Sequence, residues 1–292
     1  MRVLWSACAA VWLAGASVGV LAEPAQGQSQ SASVQLIRNA TLKIQYAQQT
    51  FLVDPMLAPQ GAYPGFANTY RSELRNPLVE LPHSAEQVLE GVDAVIVTHT
   101  HLDHWDDAAQ KLIPKNTPLF VQHQADAKLI SSQGFTDVRV LKDSATFNNV
   151  TLHKTGGQHG TDGMYAIPEL AQSLGQAMGV VLQAPNAPTL YIAGDTIWRK
   201  EVEQALADYQ PKMVVLNAGY AQLTGIPGAI IMGQDDVLRA AQTAPEAKIV
   251  AVHLDAVNHM ALSRQALKAF VAEQGIEKAV SIPEDGQVLP LY

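Results

Sequence analysis

An apolar run, Ala94-Val95-Ile96-Val97, leads straight into Thr98-His99-Thr100-His101-Leu102-Asp103-His104-Trp105-Asp106. Three imidazoles and a carboxylate fall within six residues of a chain that has nine histidines in all. A solvent-exposed polar loop would have no reason to gather a third of the histidines behind one apolar run. A cluster tucked against a core needs a partner for every polar atom. Imidazole nitrogen and carboxylate oxygen together suit zinc, and also iron or manganese. If the run is a strand, His99 and His101 alternate onto one side and can chelate one ion as a pair. Asp103 and His104, on the turn beyond, can reach a second.

Two ions need more ligands, and other runs end in them. Thr189-Leu190-Tyr191-Ile192-Ala193-Gly194 closes on Asp195, and Ile249-Val250-Ala251-Val252 closes on His253. Gly156-Gly157-Gln158-His159-Gly160 sets a histidine among glycines, which let the backbone turn sharply and approach closely. Ligands of α/β sheets gather beyond the carboxyl ends of strands. Alone, Asp195 would read as a turn or cap residue and His253 as a hydrogen-bonded core histidine. Beside the cluster, both read as ligands.

In chain order these four pieces resemble the metallo-β-lactamase superfamily of metal hydrolases, over about residues 34–285. The HxHxDH motif stands as His99, His101, Asp103 and His104. The resemblance implies a first metal held by His99, His101 and His159. It implies a second held by Asp103, His104 and His253, with Asp195 bridging. The opening, Ala40-Thr41-Leu42-Lys43-Ile44-Gln45-Tyr46 followed by Thr50-Phe51-Leu52-Val53-Asp54-Pro55, is similar to the branch with ascorbate-6-phosphate lactonase and N-acylphosphatidylethanolamine phospholipase D. The fold implied is α/β, a four-layer αββα sandwich.

Composition agrees. Apolar residues make up 48% of the 292, and charged residues only 16%, so a sizeable core is available and disorder of the body is excluded. With a net charge of −8 and no Lys/Arg stripe, nucleic acid is not the expected partner. A small-molecule substrate is. Nothing in the sequence fixes an oligomeric state.

The N-terminus reads as export machinery. Met1-Arg2 precedes the apolar stretch Val3 to Val20, and Val20-Leu21-Ala22 offers a cut before Glu23. Residues 1–22 are therefore expected to be a signal peptide, 23–33 a Gln/Ser/Ala-rich flexible leader, and 34–292 one hydrolase domain. A periplasmic or secreted protein follows, with no stable membrane anchor once the signal is cut. Cys8 is the only cysteine, so the mature chain would hold no disulfide.

Patterning predicts strands over 34–38, 41–46, 50–54, 93–98, 118–122, 138–141, 150–155, 179–183, 189–193, 213–216 and 249–253. Helices are predicted over 84–90, where Ser84 and Gln87 form a capping box, and over 106–112, 125–133, 200–209, 235–243 and 263–274. Strands first and then alternation in both halves fits two sheets between helices. Three stretches, 55–83, 156–176 and 219–233, read as long irregular loops. Such loops are commonly functional, and they are expected to wall the substrate pocket. Trp105 and Trp198 follow ligands closely and are expected to line it, with Tyr220. Asn258, His259 or Arg264 could orient an anionic group, or His259 could brace the ligands. His83, His123 and His153 carry no assigned role.

The chemistry implied is hydrolysis by a hydroxide bridged between two divalent ions, with Zn2+ the first choice and Mn2+ or Fe2+ the alternatives. Asp103 or Asp195 would hold or shuttle the proton. An ester, lactone or phosphodiester is the expected target. β-Lactam hydrolysis is an alternative, set back because β-lactamases with a similar motif generally lack a carboxylate where Asp195 stands. An iron-dependent oxidoreductase is another. Flavodiiron oxidases usually carry glutamate at the place of His101, and persulfide dioxygenases use a single iron.

Overall fold

The computed structural model describes residues 3–4 and 32–291. Nearly all of the signal-like segment and of the leader therefore lies outside the described residues. The leader's last two residues, Ala32 and Ser33, already belong to the first strand.

The first half begins with an antiparallel meander, β1 (Ala32–Arg38), β2 (Thr41–Tyr46) and β3 (Gln49–Val53). Then α1 (Ala85–Leu89), β4 (Ala94–Val97), α2 (Asp107–Leu112), β5 (Leu119–Val121), α3 (Gln124–Ser132) and β6 (Val138–Val140) alternate, with β3 to β6 parallel. The second half repeats the plan. β7 (Ser144–Phe147) and β8 (Val150–Thr155) precede two short helices, α4 (Asp162–Tyr165) and α5 (Pro168–Leu174), and β9 (Gly179–Gln183) and β10 (Leu190–Ile192) complete an antiparallel set. The parallel run follows as α6 (Lys200–Tyr209), β11 (Met213–Asn217), α7 (Gln234–Thr243), β12 (Lys248–Val252), α8 (Arg264–Glu273) and β13 (Val280–Ser281). β14 (Val288–Leu291) returns to pair with β1.

Two seven-stranded sheets result, ordered β14-β1-β2-β3-β4-β5-β6 and β13-β12-β11-β10-β9-β8-β7. The period of two in the strands sorts the layers. Ile44, Phe51 and Ile96 meet Val180, Ile192 and Val215 between the sheets. The alternate residues face outward: Val95 and Val97 pack on Ala109 and Ile130 of α2 and α3, and Val214 and Leu216 on Val202 and Val237 of α6 and α7. That is a four-layer αββα sandwich. Tyr46 lies in the central layer and satisfies its hydroxyl by donating to the carbonyls of Leu182 and Pro188 across it.

β8 and β10 both run antiparallel to β9, so they share the direction of β11 and β12. The carboxyl ends of β8, β10 and β12 therefore open on one edge of the second sheet. No helix among the described residues is long and apolar enough to cross a membrane.

Candidate metal centre

His99, His101, Asp103 and His104 follow β4, His159 follows β8, Asp195 follows β10 and His253 follows β12. The fold brings all seven together in three overlapping groups: His99, His101 and His159; His99, His104 and Asp195; and Asp103, His104 and His253. The backbone bends tightly to deliver them. Gly194 takes φ +70 immediately before Asp195, where a Cβ would strike the Met178 carbonyl. His253 itself takes φ 62, an uncommon conformation for a residue with a Cβ. It is held by its N–H donating to the Asn39 carbonyl at 3.0 Å. The Asn39 amide donates in turn to the Asp103 carbonyl at 2.8 Å, so one hairpin turn braces two ligand loops.

Hydrogen bonds at the back of the rings fix the tautomers. His159 Nδ1 can only donate to the Ile230 carbonyl (2.9 Å), and His101 Nε2 to the Ser173 carbonyl (3.0 Å). His104 Nδ1 donates to Asp54 Oδ2 at 2.9 Å. The Thr98 hydroxyl donates to the same Asp54 oxygen at 2.7 Å, which leaves it accepting from His99 Nδ1 at 3.2 Å. The inner nitrogens of His99 and His101 are then bare lone pairs, yet they face one another, His99 Nε2 lying 3.0 Å from His101 Nδ1. Lone pairs at that separation call for a cation between them. His104 Nε2 lies 3.2 Å from His253 Nε2.

Asp195 stands in the middle. Its Oδ1 accepts from Asn217 Nδ2 at 2.6 Å. Its Oδ2 lies 3.1 Å from His104 Nε2, 3.6 Å from His253 Nε2, 3.7 Å from His159 Nε2 and 3.9 Å from His99 Nε2. One oxygen thus faces both groups. Electrostatics point the same way. Burial would raise Asp103 and Asp195, but neighbouring His104 and His253 hold both well below the usual carboxylate range. Burial would lower His104, but Asp195, Asp103 and Asp54 outweigh it and hold it well above its ordinary value. His99 is driven well down by burial and then by His104 and His101, and burial takes His159 down to about 4. Carboxylates held ionised draw positive charge onto His104 and His253 as well, and a site that gathers positive charge among oxygen and nitrogen donors fits a divalent cation.

A cavity of about 450 Å³ opens over this floor. Each of the three long stretches contributes to its wall: Phe66 and Thr69 from the first, Ser173 and Leu174 from the second, Leu223 and Ile230 from the third. His259 lines it too. The second stretch is not irregular, because α4 and α5 occupy much of it.

Five expected pocket residues lie elsewhere. Trp105 is buried between helix and sheet, its ring against Phe135 and its Nε1 donating to Gln133 Oε1 at 2.9 Å. Trp198 packs on the outer helical layer, donates to Glu203 Oε1 at 2.9 Å and lies under the Arg239 guanidinium. Tyr220 is exposed and lines a separate cleft with Asp235, Asp236 and Leu262. Arg264 is spent on Asp285 at 2.8 Å, Glu284 at 3.5 Å and Asp255 at 3.6 Å. Asn258 is tied up between loops rather than facing the cavity. Sequence reasoning missed Asp54, Asn217 and Asn39. The first two end the apolar runs of β3 and β11, the same signal that marks Asp195.

A family model described as a beta-lactamase superfamily domain matches residues 49–254. The UPF0173 protein YddR of Bacillus subtilis is 45% identical over 251 residues, covering 86% of this chain and 96% of its own length. Among solved structures, a possible metal-dependent hydrolase from Veillonella parvula shares 50% identity over 89% of this chain and all of its own, with a TM-score of 0.89. An isothiocyanate hydrolase from Delia radicum gut bacteria shares 48% over 88% of this chain and 98% of its own, with a TM-score of 0.85.

Proposed function

Because the chain belongs to the beta-lactamase superfamily and to the UPF0173 family of metal-dependent hydrolases, we propose that it hydrolyses a small uncharged substrate with two divalent cations. His99, His101 and His159 would hold one. Asp103, His104 and His253 would hold the other, with Asp195 Oδ2 shared. Zinc suits this donor set best, with manganese or iron as alternatives. When bound, such a pair supplies a shared hydroxide at neutral pH and polarises the bond under attack. The observation that carries the reading is the opposed lone pairs of His99 Nε2 and His101 Nδ1, 3.0 Å apart, with both protons committed at the back of the rings to Thr98 and the Ser173 carbonyl.

The chain's own residues do the rest. Asn217 fixes one oxygen of Asp195, so the other keeps its aim. Asp103 and Asp195, held ionised, are the bases beside the reacting centre that can take up and return a proton. The wall excludes bulk water from one side of the cavity.

Among the described residues no lysine or arginine lines that cavity. The wall adds no charge for a phosphodiester beyond that of the ions themselves, and its apolar lining suits the ester and lactone readings. The likeness to an isothiocyanate hydrolase adds a third uncharged electrophile. Water adding to the central carbon of R–N=C=S gives a thiocarbamate, which breaks its carbon–nitrogen bond to release amine and carbonyl sulfide. Ester or lactone cleavage gives acid and alcohol.

We place the mature enzyme in the periplasm or the medium, on the reading of residues 1–22 as a cleaved signal. N-terminal sequencing of the exported protein should begin at Glu23, and a start at Met1 would refute this. For the activity, the test is a panel of an uncharged ester, a lactone, benzyl isothiocyanate, a phosphodiester and a cephalosporin. Turnover of the uncharged substrates that stops on chelation is expected. Activity that survives chelation, or a preference for the phosphodiester, would overturn the proposal.

A further inference from the structure

We propose that His259 orients the substrate, its Nε2–H donating a hydrogen bond to the polar end of an uncharged, apolar-tailed ligand. The role in catalysis rests on the hydrolase reading above; the role in binding does not.

His259 lines the cavity but falls outside all three ligating groups. Its Nε2 lies 4.0 Å from Asp103 Oδ2, and its ring centre 6.4 Å from that of His253. It is not built like the ligands beside it. His99, His101, His104 and His159 each meet an oxygen at the back of the ring. His259 Nδ1 is buried with no partner among the described residues. His253 shares that feature, but its Nε2 is committed among the ligands. A buried N–H without an acceptor is rarer than an under-used acceptor, so the proton belongs on Nε2, the nitrogen on the side of Asp103. Among the described residues that donor has no acceptor within hydrogen-bond distance, Asp103 Oδ2 lying 4.0 Å away.

The ring is also ordered in advance. The Gln222 N–H donates to the His259 carbonyl at 3.1 Å, and Phe66 meets the ring edge to face at 4.9 Å. Asn258, next in the chain, accepts from Phe66 N and Asn76 Nδ2 and donates to Thr69 Oγ1 and the Tyr70 carbonyl. A donor fixed this way loses little freedom on binding. Around it stand Phe66, Leu102, Leu174, Leu223 and Ile230 and, among the described residues, no lysine or arginine. The ligand so described has one polar end, an apolar tail and no net charge.

The probe is N-phenethylurea, which is uncharged and carries no bond of the reactive kinds above, with 4-phenylbutyrate as its anionic counterpart. Calorimetry would measure binding to metal-loaded wild type, His259→Phe and His259→Gln, with metal content and Tm of each. We expect the urea to bind wild type, and substitution of His259 to weaken the urea more than the anion, which the metal ions can hold without that donor. His259→Phe should weaken the urea about tenfold, about 1.4 kcal/mol. His259→Gln, which keeps an N–H donor, should recover most of that, with metal content and Tm alike in all three. Unchanged urea affinity in His259→Phe would overturn the proposal, as would loss of metal in that variant, no recovery in His259→Gln, or failure of wild type to bind the urea. Wild type that binds the urea but turns over no substrate would refute the hydrolase reading and leave the binding role standing.

Discussion

The floor and the wall of the cavity are held by different forces. On the floor, His99, Asp195 and His253 follow within three residues of buried strands, and their aim comes from the strand ends plus a brace each: Thr98 behind His99, Asn217 behind Asp195, and the Asn39 carbonyl on the His253 N–H. On the wall, Phe66, Thr69 and His259 sit on long connections. Their places come from side chains remote in sequence, with Asn258 joining 66–76 to the loop after β12 and Arg71 donating to the carbonyls of Asn258 and Met260. Strand ends make a rigid platform for charge. Pinned loops make a surface that can change without disturbing it. Damage to the floor should therefore remove metal and activity together, whereas damage to the wall should spare the metal.

Asp195→Ala is the most severe break. It removes the one oxygen facing both groups, so turnover should fall below detection and metal content drop, as read by mass spectrometry and assay. Next is Asp54→Asn, which leaves every proposed ligand in place but takes the charge from behind His104. Metal affinity or activity should fall roughly 10–100-fold, and a competitive chelator titration would measure it. An unchanged affinity would mean that the outer partners do not govern the floor.

The wall predicts the opposite pattern. Asn258→Ala unpairs Asn76, Thr69 and the Phe66 N–H, and should cost about 1–3 kcal/mol of stability in denaturant unfolding while metal content holds. Loss of metal in step with stability would erase the distinction between the two regions. Smallest is Trp105→Phe, which keeps the packing on Phe135 but loses the bond to Gln133. About 1 kcal/mol of stability should go, with kcat and KM unmoved; a changed KM would return Trp105 to the pocket.

The same contrast governs what could be read in advance. β4, β10 and β12 were legible because apolar runs end in side chains with no business in a core, and the layer architecture followed from the order of runs. Asp54 and Asn217 carry that signal too, but a single polar residue at a strand end also reads as an ordinary turn. α4 and α5 were hidden because they are short and bury little beyond Met164 and Leu174, although Thr161 caps one and Pro168 opens the other. β14 pairs with β1 from the far end of the chain, a register no local pattern encodes. Trp105 and Trp198 were expected in the pocket from their nearness to ligands in sequence. At a turn, however, neighbouring side chains diverge, and both enter the outer layers. Arg264 found its carboxylates in Asp255, Glu284 and Asp285 instead of a substrate. Folding of loops onto one another decides such contacts, and spacing does not report it.

Native mass spectrometry of the wild-type protein across a metal titration, with turnover of an uncharged ester or isothiocyanate followed in parallel, bears most directly on the central claim. The account predicts about two divalent ions per chain, with activity appearing as the second ion fills. Full turnover with a single ion, or with none, would contradict it.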